Sequence, residues 1–219
     1  MDALIVNFKT PQLTEAAVRS VRKQSPRFKV VVYDSSDDYD GQADKVIKNE
    51  IDFDAFLAMF PDKRPSGNGW GSAKHCFTVD YCFRFFDEGF VLLDSDVLVK
   101  RDLSTLWRPD VAWVGTPHTT RKHKVNVPRL YPFCCFINTR MCREHGVSYF
   151  NPEFMWQMTE HPVQSWYDTG AWFLKATRDM PHEVVDIGEY IVHYGSGSFR
   201  ADKEITPSKW LEFYSSLYK

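Results

Sequence analysis

The sequence predicts an α/β domain with a central, mostly parallel sheet flanked by helices, and three observations carry that expectation. The chain opens on an apolar run from Ala3 to Phe8 and repeats one in "FKVVVYD", Phe28 to Asp34, with an amphipathic stretch between them. Continuous apolar strands separated by a helix mark a parallel sheet covered on both faces, where a one-sided sheet would alternate. The same helix-then-strand order returns between Ser72 and Leu93, where "FVLL" follows a helical pattern. Finally, 219 residues with 43% hydrophobic and 26% charged content suit one ordinary globular domain with a sizeable core.

Each element follows from local signals. Thr10 and Pro11 supply an N-cap and a first-turn proline, and Leu13, Ala16, Ala17 and Val21 recur at helical spacing to about Gln24. A short helix is expected over Asp52 to Phe60, and "PDKRPSGNGWG", Pro61 to Gly71, reads as a loop. The next helix spans about Ser72 to Phe86, with His75, Val79, Cys82 and Phe86 along one face. Ala112 to Thr116 and Phe133 to Asn138 read as strands, the second ending on an amide. Between them Pro117 to Pro128 is basic and without periodicity, and is expected to be a loop. Asp168 to Ala176 reads as a helix, and Tyr190 to Ser198 as a strand entering a Gly/Ser loop. Thr206 and Pro207 open a last helix, with Trp210, Leu211, Tyr214 and Leu217 on its buried face.

Composition narrows the classes of function. A formal net charge of -2 gives no reason to expect nucleic acid as a partner. The five cysteines are odd in number and include no CxxC, so reduced thiols in a cytoplasmic protein are expected and a zinc site is not. "MDALIVNF" has no basic leader region, so no signal peptide is expected. No apolar run reaches the length of a membrane span, and peripheral attachment is left open.

The chemistry is concentrated in "GFVLLDSDVLVK", Gly89 to Lys100. Asp94 and Asp96 leave the end of an apolar strand on the same side, because residues i and i+2 of extended backbone point together. Two carboxylates there oppose burial and repel one another unless something positive joins them. They form an oxygen-rich site suited to Mg²⁺ or Mn²⁺, at the strand end where open parallel sheets bind ligands. The plain alternative is a solvated turn in which one aspartate caps the short helix near Leu103.

These residues, together with "ALIVNFKTPQLTEAAVRSVRKQ" at the N-terminus, resemble the GT-A class of nucleotide-sugar-dependent glycosyltransferases. The first stretch is most similar to the family 2 group: an apolar strand, an N-F-x-T turn, and a helix bearing Ser20 and Gln24. "VVVYDSSDD" resembles that group's second strand, and "GSAKHCFTVDYCF" stands where the family has a glycine-initiated helix with a basic residue and an amide. The resemblance implies a single GT-A (Rossmann-like) domain over residues 1–219. Its nucleotide-sugar half would end near residue 106, and an acceptor half would follow. It also implies transfer of a sugar, of the hexosyltransferase type, from a UDP-sugar to a glycan or other hydroxyl acceptor, with Mn²⁺ or Mg²⁺.

Carried over position by position, the resemblance gives Asp34 a hydrogen bond to the nucleotide base. Asp94 contacts the ribose or the metal, and Asp96 ligates the metal at the diphosphate, with Ser95 between them. Lys74 balances phosphate charge, while His75 and Lys9 depart from the family's usual residues; His75 reads equally as a site residue and as a satisfied helix histidine. His193 resembles the late histidine that many GT-A enzymes use as a further metal ligand. Beside it Gly195 and Ser196 offer a Gly/Ser loop suited to phosphate or metal oxygens. Asp168, in "SWYDTGAWF", stands where the family places its catalytic base, with Tyr167 replacing the usual glutamate; otherwise it caps its helix.

Arg121, Lys122, His123, Lys124 and Arg129 could close over a diphosphate or simply be solvated. Asn138 could hold a sugar hydroxyl or be a strand-end turn amide, and Trp70 and Trp166 could stack on sugars or belong to the core. Three other classes compete. A haloacid-dehalogenase-type phosphatase would place its D-x-D near the N-terminus with a following Thr, where this chain has Val97 and Leu98. A sugar-nucleotide pyrophosphorylase would need a Gly-rich first loop that "NFKTPQ" lacks. A non-catalytic, transferase-like binding domain would fit the departures at Lys9, His75 and Tyr167.

Overall fold

The computed structural model describes residues 1–59, 68–122, 125–155 and 168–194, together with residue 212. Strand β1 (Asp2–Asn7) is buried from Ala3 onward and is followed by helix α1 (Pro11–Gln24). Proline in its first turn and Leu13, Ala16, Ala17, Val18 and Val21 turned inward explain why this stretch is helical and where it docks. Thr10 stands at the N-cap, but its side chain makes no capping bond. Then come β2 (Lys29–Asp34), β3 (Lys45–Lys48), α2 (Phe53–Ala58) and α3 (Asn68–Cys82). Helix α3 starts earlier than its sequence suggests, taking in Asn68 to Gly71, and ends at Cys82 in a 3₁₀ turn, Phe83–Phe85.

Strand β4 (Phe90–Asp94) and β5 (Val97–Val99) enclose the two-residue link between them, Ser95 and Asp96. The short 3₁₀ helix Leu103–Leu106 is capped by Asp102, whose carboxylate accepts from the Ser104 amide at 3.0 Å. Neither Asp94 nor Asp96 is spent on that cap. Strands β6 (Trp113–Gly115), β7 (Pro117–Lys122), β8 (Val125–Leu130) and β9 (Cys134–Ile137) follow, then α4 (Thr139–Glu144) and α5 (Pro152–Met155). Helix α6 (Ala171–Ala176), β10 (His182–Val184), a 3₁₀ turn at Ile187–Glu189 and β11 (Ile191–His193) complete the described elements. The helix expected after Pro207 lies outside the described residues, apart from Glu212.

The main sheet has seven strands in the order β10-β6-β9-β4-β1-β2-β3. Only β9 runs against its neighbours; β1 pairs in parallel with both β2 and β4. Side chains alternate between two cores. Leu4, Val6, Tyr33, Phe90 and Leu92 join α3 residues Cys76, Val79 and Cys82 on one face, and Ala3, Ile5, Val30, Val91 and Leu93 join α1 on the other. All five cysteines are free and buried. Among the described residues, no helix is long and apolar enough to cross a membrane.

Two departures from the sequence reading matter for the site. The basic segment expected to be a loop is a hairpin, β7 and β8 pairing from Pro117↔Leu130 to Lys122↔Val125. It stands as a two-stranded sheet separate from the main one, and its sequence carries no period-2 apolar pattern. The helix expected from Asp168 begins at Ala171, and Gly170 is the residue that sets its entry. Gly170 has φ +82°, and a Cβ there would lie 2.2 Å from the Leu130 carbonyl oxygen, so only glycine lets this turn close on β8.

Candidate active site

The chain leaves β1 for β2 and β3 on one side, then crosses back to place β4 on the other. The C-terminal ends of β1 and β4 therefore meet at the point where the winding reverses, the usual ligand crevice of an open α/β sheet. β1 ends there on Asn7, β2 on Asp34 and β4 on Asp94.

Asn7 and Asp34 form a closed network. The Asn7 side-chain amide donates to Asp34 Oδ1 (2.7 Å), Asp38 Oδ1 (2.7 Å) and Ser36 Oγ (3.2 Å), while its oxygen accepts from Thr10 and from Thr14 Oγ1 (2.8 Å). Asp34, fully buried, also accepts from Lys48 Nζ (2.8 Å) and the Tyr39 amide (2.9 Å). Burial pushes its pKa up, but the bonds from Lys48, Asn7 and Tyr39 outweigh that and hold it below the usual carboxylate range. The carboxylate expected to meet a base is thus engaged on both oxygens by protein donors. Thr10 links this network to the aspartates through a 2.9 Å hydroxyl–hydroxyl bond with Ser95, the buried residue between them.

Asp94, Asp96 and His193 come together as a group of three, each offering one ligand atom within 4.8 Å of the others. Strand pairing makes the group: β11 runs antiparallel to β5 with His193 opposite Val97, and the Tyr194 amide donates to the Asp96 carbonyl at 2.9 Å. His193 Nε2 lies 3.2 Å from Asp96 Oδ1. Burial pulls the His193 pKa down, but the bond and charge of Asp96, helped by Asp94, overcome it and leave it raised. At Asp94 burial pushes the pKa up, His75 opposes this and Asp96 adds to it; the net shift is upward. Two carboxylates and an imidazole, drawn from three backbone positions, are a donor set that fits Mn²⁺ or Mg²⁺ and lacks the thiolates of a structural zinc site.

His75, on α3, reaches the same group from the other side, with Nε2 at 3.8 Å from Asp94 Oδ1. Lys74 beside it is half-buried on α3. Asp168 accepts from Arg129 Nη1 (2.7 Å), Ser72 Oγ (2.9 Å) and the Thr169 amide (2.9 Å). Its carboxylate does not cap α6, whose N-cap is Gly170. Arg129, from the hairpin, also acts electrostatically on Asp94 and His193. Asn138 turns out to be the strand-end amide: it caps α4 through Met141 and donates to the Pro109 and Val111 carbonyls. Gly195, Ser196, His123, Lys124 and Trp166 lie outside the described residues, and of the residues expected to close over a diphosphate only Arg129 has a described side chain. In the sequence Asn7 stands out only as part of a turn; the sign of its role is an amide closing the apolar run Ala3 to Val6.

The fold matches that of solved glycosyltransferases of the GT-A type. The chain aligns with the galactosyltransferase LgtC, solved with donor and acceptor sugar analogues, at TM-score 0.62 and 12% identity, covering 100% of this chain and 97% of that one. It aligns with the glycosyltransferase GlyE of Streptococcus pneumoniae at TM-score 0.59 and 11% identity, covering 99% of this chain but only 61% of that one, so it spans about three fifths of GlyE's length. A glycosyltransferase involved in glycosylating the major capsid of PBCV-1 aligns at TM-score 0.51 and 12% identity over 98% of both chains. No family model and no curated protein sequence matches.

Proposed function

We propose that this chain is a metal-dependent glycosyltransferase that moves a sugar from a nucleoside diphosphate, a UDP-sugar, to a hydroxyl acceptor. The observation that carries this reading is the Asp94, Asp96 and His193 group at the sheet's winding reversal. The fold shared with the glycosyltransferases above supports it.

Asp94, Asp96 and His193 would hold Mn²⁺ or Mg²⁺, and the bound cation supplies positive charge to the diphosphate leaving group. The chain's residues do the rest. Thr10 fixes Ser95, and with it the backbone that aims the two carboxylates. The Asn7–Asp34–Lys48 network, already internally satisfied, shapes the nucleotide end without having to reorganise. Lys74, Gly195 and Ser196 are proposed diphosphate contacts. Asp168 is the proposed proton acceptor. For that role the incoming hydroxyl replaces Ser72 on Oδ1, while Arg129 keeps the carboxylate in place. In this scheme residues 1–106 serve the nucleotide and residues 107–219 the acceptor.

The reading is tested by donor consumption. The protein is incubated with UDP-glucose, UDP-galactose and UDP-xylose in Mn²⁺, and UDP release is measured with and without chelator. Consumption of at least one donor, lost on chelation, is expected. Mn²⁺-dependent UDP binding without any consumption would make the chain a non-catalytic binding domain; neither binding nor consumption would remove the transferase reading.

A further inference from the structure

Among the described residues, four buried side-chain polar atoms make no hydrogen bond: His75 Nε2, Arg129 Nε, Tyr149 Oη and Trp113 Nε1. A buried donor left unsatisfied is costly, so folds rarely keep several together without a use. Trp113 is a separate case, at the start of β6 with its ring stacked on exposed His182. The other three share a neighbourhood. His75 Nε2 lies 3.8 Å from Asp94 Oδ1. Tyr149 packs in the core face that holds Leu92, Cys76 and Cys135, and Asp94 continues that face of β4 beyond Leu92. Arg129 precedes Leu130 of the same cluster, and its charge acts on both Asp94 and Tyr149.

We infer that His75, Arg129 and Tyr149 form a hydroxyl-binding subsite beside Asp94 that reads the transferred sugar of the donor. The inference rests on the proposed function and assigns residues to its substrate. The chemistry selects the ligand. Arg129 Nε can only donate, the tyrosine hydroxyl can donate and accept, and the imidazole nitrogen can do either according to its tautomer. Next to them Asp94 and Asp168 can only accept when ionised. The Arg129 charge is already matched by Asp168 at 2.7 Å, so this subsite offers no surplus positive charge to a phosphate. A mixed set of donors and acceptors without net positive charge suits sugar hydroxyls, each of which donates and accepts at once. A site built on such groups discriminates strongly, because a sugar lacking the matching hydroxyl leaves them unpaired. His75, unusual for this helix in the family the sequence resembles, then has a reason to be there.

The test is calorimetric binding in Mn²⁺ of UDP, UDP-glucose, UDP-galactose and UDP-xylose to wild type, Tyr149→Phe and Arg129→Lys. Tyr149→Phe keeps the ring that packs 5.1 Å from Phe173 and removes only the hydroxyl. The expected result is a loss of about tenfold or more for the preferred UDP-sugar, with UDP changed less than about twofold. Arg129→Lys, which keeps charge but loses Nε, should show the same selective loss. Without ligand, Tyr149→Phe should unfold at or above the wild-type temperature, since a hydroxyl with no partner stabilises nothing. Equal losses for UDP and UDP-sugar, or no loss for either, would overturn the subsite; the latter would leave buried water as its occupant. If wild type binds UDP and no UDP-sugar in the panel, the subsite fails while the nucleotide site stands. If wild type binds neither, the transferase reading fails and the subsite with it.

Discussion

Asp34 and Asp94 end the two strands that flank β1, at the same end of the same sheet, yet they are in opposite electrostatic states. Asp34 is surrounded by donors from Lys48, Asn7 and Tyr39, and its pKa is held down. Asp94 is desolvated beside a second carboxylate, and its pKa is pushed up despite His75. The first is satisfied by the protein's own donors, whereas the second keeps the cost of burial and of a neighbouring like charge. A strand-end aspartate is therefore scaffold or site according to who supplies its partners, and hydrogen bonding reveals which.

The comparison can be broken at its satisfied end. Asn7→Leu removes the amide that both donates to Asp34 and accepts from Thr10 and Thr14, leaving a buried carboxylate short of a donor. A loss of about 3–4 kcal/mol in urea unfolding is expected. Paired substitutions sharpen it. Asp34→Asn, which puts a donor where donors already point, should destabilise by about 2 kcal/mol. Asp94→Asn in chelator should stabilise by about 1 kcal/mol, because it removes a like charge from Asp96. The opposite signs of one chemical change at two equivalent strand ends are the point; equal signs would erase the distinction.

Acid gives the smallest effect. Because the folded state lowers the Asp34 pKa below its ordinary value of 3.8, the unfolded chain takes up the proton first as pH falls. The stability that Asp34 contributes is whole above that ordinary value and is lost as pH drops through the lower, folded-state one. Urea midpoints taken between about pH 6 and pH 2.5 should therefore fall more steeply for wild type than for Asp34→Asn, converging at the acid end.

Much of this was legible in the sequence because burial leaves a pattern. β1, α1, β2 and β4 are apolar runs or periodic faces, and the carboxylates of Asp94 and Asp96 stood out against them. His193 could be read from its place at the end of an apolar strand. What escaped was whatever burial does not pattern. The hairpin Pro117 to Leu130 carries Pro128 and polar residues, and stands apart from the main sheet. Edge strands β3 and β10 are short and largely exposed, so few of their residues have to be apolar. Tyr149 carries no mark of its own, since nothing in a sequence tells a satisfied hydroxyl from an orphan. Asp168 was seen as a carboxylate at a helix start, while its partner Arg129 arrives from a hairpin 39 residues away.

The central claim, that Asp94, Asp96 and His193 complete themselves with a metal that carries a nucleoside diphosphate, has one direct test. UDP binding is titrated calorimetrically with Mn²⁺ and with chelator, for wild type and Asp96→Asn, with unfolding temperatures recorded in parallel. The account predicts that UDP binds wild type only with Mn²⁺, and that Asp96→Asn weakens binding by about a hundredfold or more while the protein stays folded. Binding of UDP that ignores Mn²⁺, or that survives Asp96→Asn unchanged, would contradict it.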